Sequence, residues 1–130
     1  MPHMVMAHDT DPKQAIINEI GDISGLTVLN NEVLVGVYLR PEKTKSGIYL
    51  TDQNRDEDRY QSKVGLVLKQ GPDAFVDETH TYFKGANMGV GDWVWFRPSD
   101  GFSITVNKVL CRVFKDTDIR GTVPHPDFVW

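Results

Sequence analysis

The chain has 130 residues, of which 40% are hydrophobic and 25% are charged, as expected for one globular domain. Its formal net charge is −4, and because Lys and Arg do not cluster with interleaved aromatic residues, nucleic acid is not an expected partner. The single cysteine, Cys111, excludes an internal disulfide, and no apolar run approaches the ~18–20 residues that span a bilayer, so we do not expect a membrane partner either.

The first thirty residues predict an arm followed by a short helix. Asp11 suits the N-cap, Pro12 suits the first helical position and Gly21 suits the position just past the end. Four apolar residues between them share one face: Ala15, Ile16, Ile17 and Ile20. This pattern predicts an amphipathic helix from about Pro12 to Ile20, which is too short to be stable unless it docks on another surface.

From Leu26 onward the sequence is typical of short β-strands separated by glycine-rich turns. The predicted strands are Val28-Leu29, Glu32 to Val37, Ser62 to Leu68, Val90 to Phe96, Phe102 to Val106 and Val109 to Phe114. Turn signals occur at residues 71–73, at residues 98–101, where they indicate a hairpin, and at residues 107–108. Short strands with such turns predict an all-β fold, specifically a small barrel.

Two of these strands also predict which side chains are buried. In the strand from Phe102 to Val106, Phe102, Ile104 and Val106 alternate with polar residues and are expected to point inward. Cys111 lies in an apolar strand, where a buried structural thiol is the expected state rather than a nucleophile.

Residues 44–50, Thr-Lys-Ser-Gly-Ile-Tyr-Leu, are the most informative segment of the chain. A flexible lead ends at Gly47, the apolar triplet Ile48-Tyr49-Leu50 follows, and residues 51–62 form a long polar run with too little apolar surface to fold alone. Two interpretations are open. The triplet is either part of an ordinary strand from Gly47 to Thr51, or an apolar binding segment that a mobile loop presents to the groove of a partner.

The order of the motifs resembles that of the GroES-type co-chaperonins, including their bacteriophage-encoded members. That family has a loop with T-K-S-(small)-G-I-(apolar)-L, a G-x-V-L-x-x-G strand, a V-G-D-x-V-x-F strand and a closing V-L…D-I segment. The corresponding residues here are 44–50, 65–71, 90–96 and 109–119, so that the resemblance covers roughly Asn31 to Thr122. Tyr49 replaces the usual aliphatic residue in the middle of the apolar triplet.

The resemblance implies a division of the chain into three parts. Residues 1–30 are the N-terminal arm and short helix, residues 31–122 are the GroES-like β-barrel, and residues 123–130 are a C-terminal tail. Within the barrel, the mobile loop is expected at about 43–63 and the roof insert, a hairpin in the family, at about 70–90.

The resemblance also implies a function, partners and a site. The protein is expected to be a co-chaperonin that caps a GroEL-type chaperonin ring in the cytoplasm and so assists ATP-dependent protein folding. Contact with the chaperonin would be made by Gly47, Ile48, Tyr49 and Leu50. The protein itself would form a homo-oligomeric ring, a heptamer in the family, and would need no cofactor, since the partner uses the ATP.

A second hypothesis comes from the extensions, which are long for this family. Phe128 and Trp130 are large apolar groups in a tail where Pro124 and Pro126 are expected to prevent a regular strand. Such arms suit a GroES-fold structural subunit, for instance a capsid decoration or cement protein of a bacteriophage virion or another large assembly.

The sequence does not favour an enzyme. No two of the four histidines, His3, His8, His80 and His125, have the spacing of a zinc site. The acidic run at residues 52–58 lacks the central glycine and terminal glutamate of a calcium loop, and no phosphate-binding or dinucleotide-binding motif occurs. We therefore expect neither a bound metal nor a catalytic residue.

Overall fold

The computed structural model describes residues 11–40, 61–76 and 88–129. Helix α1 spans Pro12–Ile20, as the sequence predicts. The side chain of Asp11 accepts a hydrogen bond from the backbone N–H of Gln14 at 3.3 Å, and the N–H of Gly21 donates to the carbonyl of Ile17 at 3.1 Å. Both ends of the helix are therefore closed by the residues that mark them in the sequence.

The described part of the chain contains six strands: β1 Glu32–Val37, β2 Val64–Gln70, β3 Trp93–Phe96, β4 Phe102–Val106, β5 Val109–Lys115 and β6 Ile119–Val123. All neighbouring pairs are antiparallel, and the order across the sheet is β4-β5-β1-β2-β3-β6. Two short 3₁₀ turns follow β5 and β6, at Asp116–Asp118 and Pro126–Phe128.

The sheet is rolled into a small barrel. Strands β5 and β6 lie four positions apart in the sheet, which is ~19 Å in a flat sheet, whereas the three residues of the turn Asp116–Asp118 bridge at most ~14 Å. Inside the roll, the rings of Phe96 on β3 and Phe114 on β5 are 4.4 Å apart, although three strand spacings separate their strands. The predicted fold class, a small GroES-like β-barrel with an N-terminal helix, is confirmed.

Two irregularities bend the sheet. Leu34 pairs with Lys69 but Val35 pairs with Val67, so β2 carries one extra residue at this point. A second shift between Trp95 and Phe96 leaves an extra residue on β6. An extra residue increases the local bend and twist of a strand, which helps the sheet to close.

Apolar residues cover both faces of the barrel wall. The inner cluster consists of Val33, Val35, Val67, Ala74, Val94, Phe96, Phe114 and Ile119, all buried. The outer cluster is centred on Leu34, Leu66, Leu68, Trp93 and Cys111 and is covered by the helix and the chain that follows it, through Ile16, Ile20, Ile23, Leu26 and Val28. Helix α1 is thus docked on the outside of the barrel.

Several expectations are wrong in detail. Residues 28 and 29 do not form a strand, since the chain there runs over the outer cluster without pairing. The turn at residues 98–101 is not a hairpin, because β4 pairs with β5 and not with β3. The reason is local: Asn107 and Lys108 have positive φ angles of 47° and 71° and form a two-residue turn that pairs Val106 with Val109.

Two further corrections concern edges of the sheet. Phe102 is 59% exposed, and the half-buried Ile104 and Val106 pack against the outer cluster, so the alternation is correct for these two residues but they do not face the barrel interior. The strand β6, Ile119–Val123, is absent from the predicted strands, and it ends directly before Pro124.

The inner cluster gives a test of the fold with a matched control. Replacing Phe114, which is 1% exposed, by alanine should lower the free energy of unfolding by ~3–5 kcal/mol, since it leaves a cavity beside Phe96. The same change at the exposed Phe102 should cost about 1 kcal/mol or less. Urea unfolding of both variants measures the difference, and equal losses would contradict the assignment of the barrel interior.

Candidate functional site

The residues expected to form the contact site, Gly47, Ile48, Tyr49 and Leu50, lie outside the described residues. The same is true of the acidic run at residues 52–58, of His3, His8 and His80, and of residues 77–87 in the roof insert. The structure does describe the chain on each side of residues 41–60, and this base of the predicted loop is the candidate functional site.

Backbone and side-chain hydrogen bonds hold the two ends of the base together. The N–H of Tyr38, at the end of β1, donates to the carbonyl of Val64, the first residue of β2, at 3.1 Å. The hydroxyl of Ser62 lies 2.8 Å from the carbonyl oxygen of Tyr38 and 3.2 Å from that of Val64, so its single hydrogen is shared between them. Ser62 is only 2% exposed, which makes these bonds part of the barrel rather than of its surface.

A third strand and the tail support this base. The carbonyl of Lys63 accepts a hydrogen bond from the N–H of Phe96 on β3 at 2.9 Å. The Tyr38 side chain is 3% exposed, meets the Trp93 ring edge-on at 5.9 Å, and donates its hydroxyl hydrogen to Asp127 Oδ1 at 2.6 Å. Residues 41–60 therefore begin and end at neighbouring points of a well-packed end of the barrel.

The opposite end of the barrel is organised by a buried carboxylate. Asp116 accepts hydrogen bonds from the side chain of Asn31 and from the N–H of Phe75, both at 3.0 Å. Its own N–H donates to the carbonyl of Asn31 at 2.9 Å. Since β1, β2 and β3 are consecutive antiparallel neighbours, the connection of β1 to β2 and the connection of β2 to β3 leave opposite ends of the barrel.

The chemically reactive groups of the described residues have structural surroundings. Cys111 is fully buried, and this burial raises the pKa of its thiol to about 11, so the reactive thiolate is scarce at neutral pH. The His125 imidazole accepts a hydrogen bond from the N–H of Asp127 at 3.2 Å and so caps the turn Pro126–Phe128. Among residues 11–40, 61–76 and 88–129, no three His, Cys, Asp or Glu side chains gather as a metal site would need.

In the same ranges, no helix has the length and apolar character needed to cross a membrane.

Sequence reasoning missed Tyr38, Ser62 and Asp127 as parts of the site. One signal was present: a tyrosine at the end of a buried strand needs a partner for its hydroxyl. The identity of that partner could not be read from the sequence, since Asp127 is 89 residues away along the chain.

A small antiparallel barrel with a long connection between β1 and β2 at one end, and another between β2 and β3 at the other, is the fold expected from the resemblance to the GroES-type co-chaperonins. The family model of the chaperonin 10 kDa subunit, Cpn10, matches residues 25–123, about three quarters of the chain. The protein therefore belongs to the Cpn10 family, and its general role is that of a co-chaperonin. A comparison with curated proteins finds no match.

Co-chaperonins of this family are not enzymes and need no cofactor, and ATP hydrolysis belongs to the chaperonin with which they work.

The hydroxyl of Ser62 is the simplest part of the site to test. Ser62→Ala removes the bond to the buried carbonyl of Tyr38, so the free energy of unfolding should fall by ~1–3 kcal/mol. Ser103→Ala, at an exposed position of β4, is the control and should stay within ~0.5 kcal/mol of wild type. Denaturant titration compares the two, and a neutral Ser62→Ala would show that the base does not depend on this bond.

The buried thiol predicts a dependence of stability on pH. Burial raises the pKa of Cys111 above its ordinary value of 9.0 to about 11, so the unfolded chain loses this proton first. The stabilisation is complete below pH 9 and is lost as the pH rises toward 11. The free energy of unfolding should therefore fall less between these limits in Cys111→Ala than in wild type, and parallel declines would contradict the assignment.

Proposed function

We propose that the protein binds a GroEL-type chaperonin ring through Gly47, Ile48, Tyr49 and Leu50, caps that ring and so assists ATP-dependent protein folding. The observation that carries the proposal is the base of residues 41–60. The chain belongs to the Cpn10 family, and the described residues on either side of the segment with the apolar triplet, Tyr38 before it and Ser62 and Val64 after it, are hydrogen-bonded to each other at one end of the barrel.

The free energies involved predict that a single loop binds the chaperonin weakly. Full burial of one of the three apolar side chains contributes ~1.5–3 kcal/mol. Ordering the backbone costs ~1–2 kcal/mol per residue, so fixing even a few loop residues offsets most of that gain. Loops on a ring of identical subunits bind at high effective concentration, which restores affinity for the assembly and still allows release. We therefore propose the homo-oligomeric ring of the family, a heptamer, as the active form.

The arrangement of the barrel ends supports the capping role. Residues 41–60 leave one end, which would face the chaperonin. Residues 77–87 belong to the connection of β2 to β3, which is at the end of the barrel organised by Asp116. That end would face away from the chaperonin. A subunit with its two long connections at opposite ends suits a cap that contacts a ring on one side only.

The described parts of both extensions weigh against the second candidate, a structural subunit of a bacteriophage capsid. Ile20 of α1 and Asp127 of the tail are buried against this chain's own barrel. Arms that clasp neighbouring subunits would instead leave their apolar and polar contacts to be made by those neighbours. We accordingly propose the cytoplasm, where the chaperonin works, as the site of action in preference to a virion.

The direct test is binding to a chaperonin ring in the presence of ATP. Ile48→Ser combined with Leu50→Ser removes two of the three proposed contacts, ~1.5–3 kcal/mol each, so the affinity should fall at least 100-fold. The control variant, Val76→Ser combined with Val90→Ser, replaces two exposed apolar residues outside the loop and should bind as wild type does.

Pull-down and sedimentation with the chaperonin of the source organism measure both variants. If wild type fails to bind, or if the control pair is weakened as much as the loop pair, the proposed contact is wrong.

A further inference from the structure

We propose that the C-terminal turn Pro126–Phe128 is a clamp that positions the base of residues 41–60, with Asp127 as the positioning residue for chaperonin binding. This inference rests on the proposed function, and it assigns a role to residues beyond the family match, which ends at residue 123. It concerns residues that do not touch the chaperonin themselves and that act through Tyr38.

The clamp is a buried hydrogen bond between the tail and Tyr38, the residue that directly follows β1. The hydroxyl of Tyr38 donates to Asp127 Oδ1 at 2.6 Å, a length typical of an O–H bonded to a carboxylate. Tyr38 is 3% exposed and Asp127 is 7% exposed, so water does not compete freely for either group. A bond to a charged acceptor in such surroundings is stronger than the same bond at a surface.

The turn that carries Asp127 is itself fixed in place. Pro126 is fully buried, and Val129 packs against the outer cluster of the barrel. The imidazole of His125 accepts the N–H of Asp127 at 3.2 Å, which orients the turn at its first residue. The carboxylate is therefore presented to Tyr38 by a structure with its own packing, and not by a loose chain end.

Tyr38 transmits this constraint to both ends of residues 41–60. Its side chain is held by Asp127 and by the edge-on contact with Trp93. Its N–H is bonded to Val64 and its carbonyl accepts the hydroxyl of Ser62, which is the last residue but one before β2. Loss of the Asp127 bond would leave a buried hydroxyl without this acceptor and loosen the residue on which the two backbone contacts, to Val64 and to Ser62, meet.

A fixed base should favour binding by reducing the ordering that must accompany it. A loop whose ends are already in place loses less conformational freedom when it docks than one whose base also has to be ordered. In a ring, the effect of each subunit is multiplied over all loops that bind together. A modest change per subunit is therefore expected to be large for the assembly.

The clamp is tested with variants that change the bond and leave the proposed contact residues intact. Asp127→Asn keeps the shape of the side chain and turns the charged acceptor into a neutral one, which weakens the bond, whereas Tyr38→Phe removes the donor and a chain ending at Val123 removes the whole turn. We expect each to weaken binding to the chaperonin ring at least tenfold. The double variant Tyr38→Phe, Asp127→Asn should bind about as weakly as either single variant, because the two residues act through one bond.

Asp116→Asn is the matched control. Asp116 is also a buried carboxylate with hydrogen-bonded partners, but it lies at the opposite end of the barrel. It should lower the thermal midpoint at least as much as Asp127→Asn does and leave the affinity for the chaperonin within twofold of wild type. A purely structural role for Asp127 would make affinity follow stability in both variants.

Amide hydrogen exchange of the free protein supplies a readout that does not need the chaperonin. In Asp127→Asn, the backbone N–H of Tyr38, which donates to Val64, should gain at least tenfold more in exchange rate than that of Val94 in the inner cluster, which reports the loss of global stability. If the base exchanges at the same rate in Asp127→Asn and in wild type, the clamp is wrong. The clamp is also wrong if Asp127→Asn and Tyr38→Phe bind the chaperonin as tightly as a wild type that binds. Either result leaves the proposed function standing. Failure of the wild type to bind overturns both.

Discussion

The short connection between β5 and β6 is the constraint on which the rest of the structure depends. Its three residues cannot reach across a flat sheet, so the sheet must curl until β6 approaches β5 and the rings of Phe96 and Phe114 meet inside. Closure creates an interior for a chain with limited apolar surface, and it creates two distinct ends. Asp116, at the start of the connection, also holds the turn after β2, so the residue that begins the closure organises one of those ends.

The two ends differ in a way that matters for a co-chaperonin. At one end, the strands β1, β2 and β3 are joined around Tyr38, Ser62 and Lys63, and the tail adds a charged hydrogen bond to this group. At the other end, a carboxylate bonds to backbone and side-chain donors of two loops. A barrel built in this way separates the surface proposed for chaperonin contact from the surface proposed to face away from it, and it gives the first surface a well-ordered base.

The sequence predicted features that depend on near neighbours. The caps of α1 are read from Asp11, Pro12 and Gly21, and the strands are read from runs of apolar residues between turns. It failed where partners are distant. The buried bond of Tyr38 depends on Asp127, a residue 89 positions away along the chain. The contact residues Gly47 to Leu50 were predicted from a motif, and they stay a prediction because they lie outside the described residues.

We propose that this protein engages a chaperonin with the segment carried on the Tyr38 base. A hydrogen-exchange footprint of the wild-type protein alone and in complex with a chaperonin ring and ATP tests this contact. New protection is expected in peptides that cover residues 44–50, with no change in peptides that cover residues 71–76 at the opposite end of the barrel. Protection at residues 71–76 with none at 44–50 would contradict it, as would a chaperonin that leaves the whole exchange pattern unaltered.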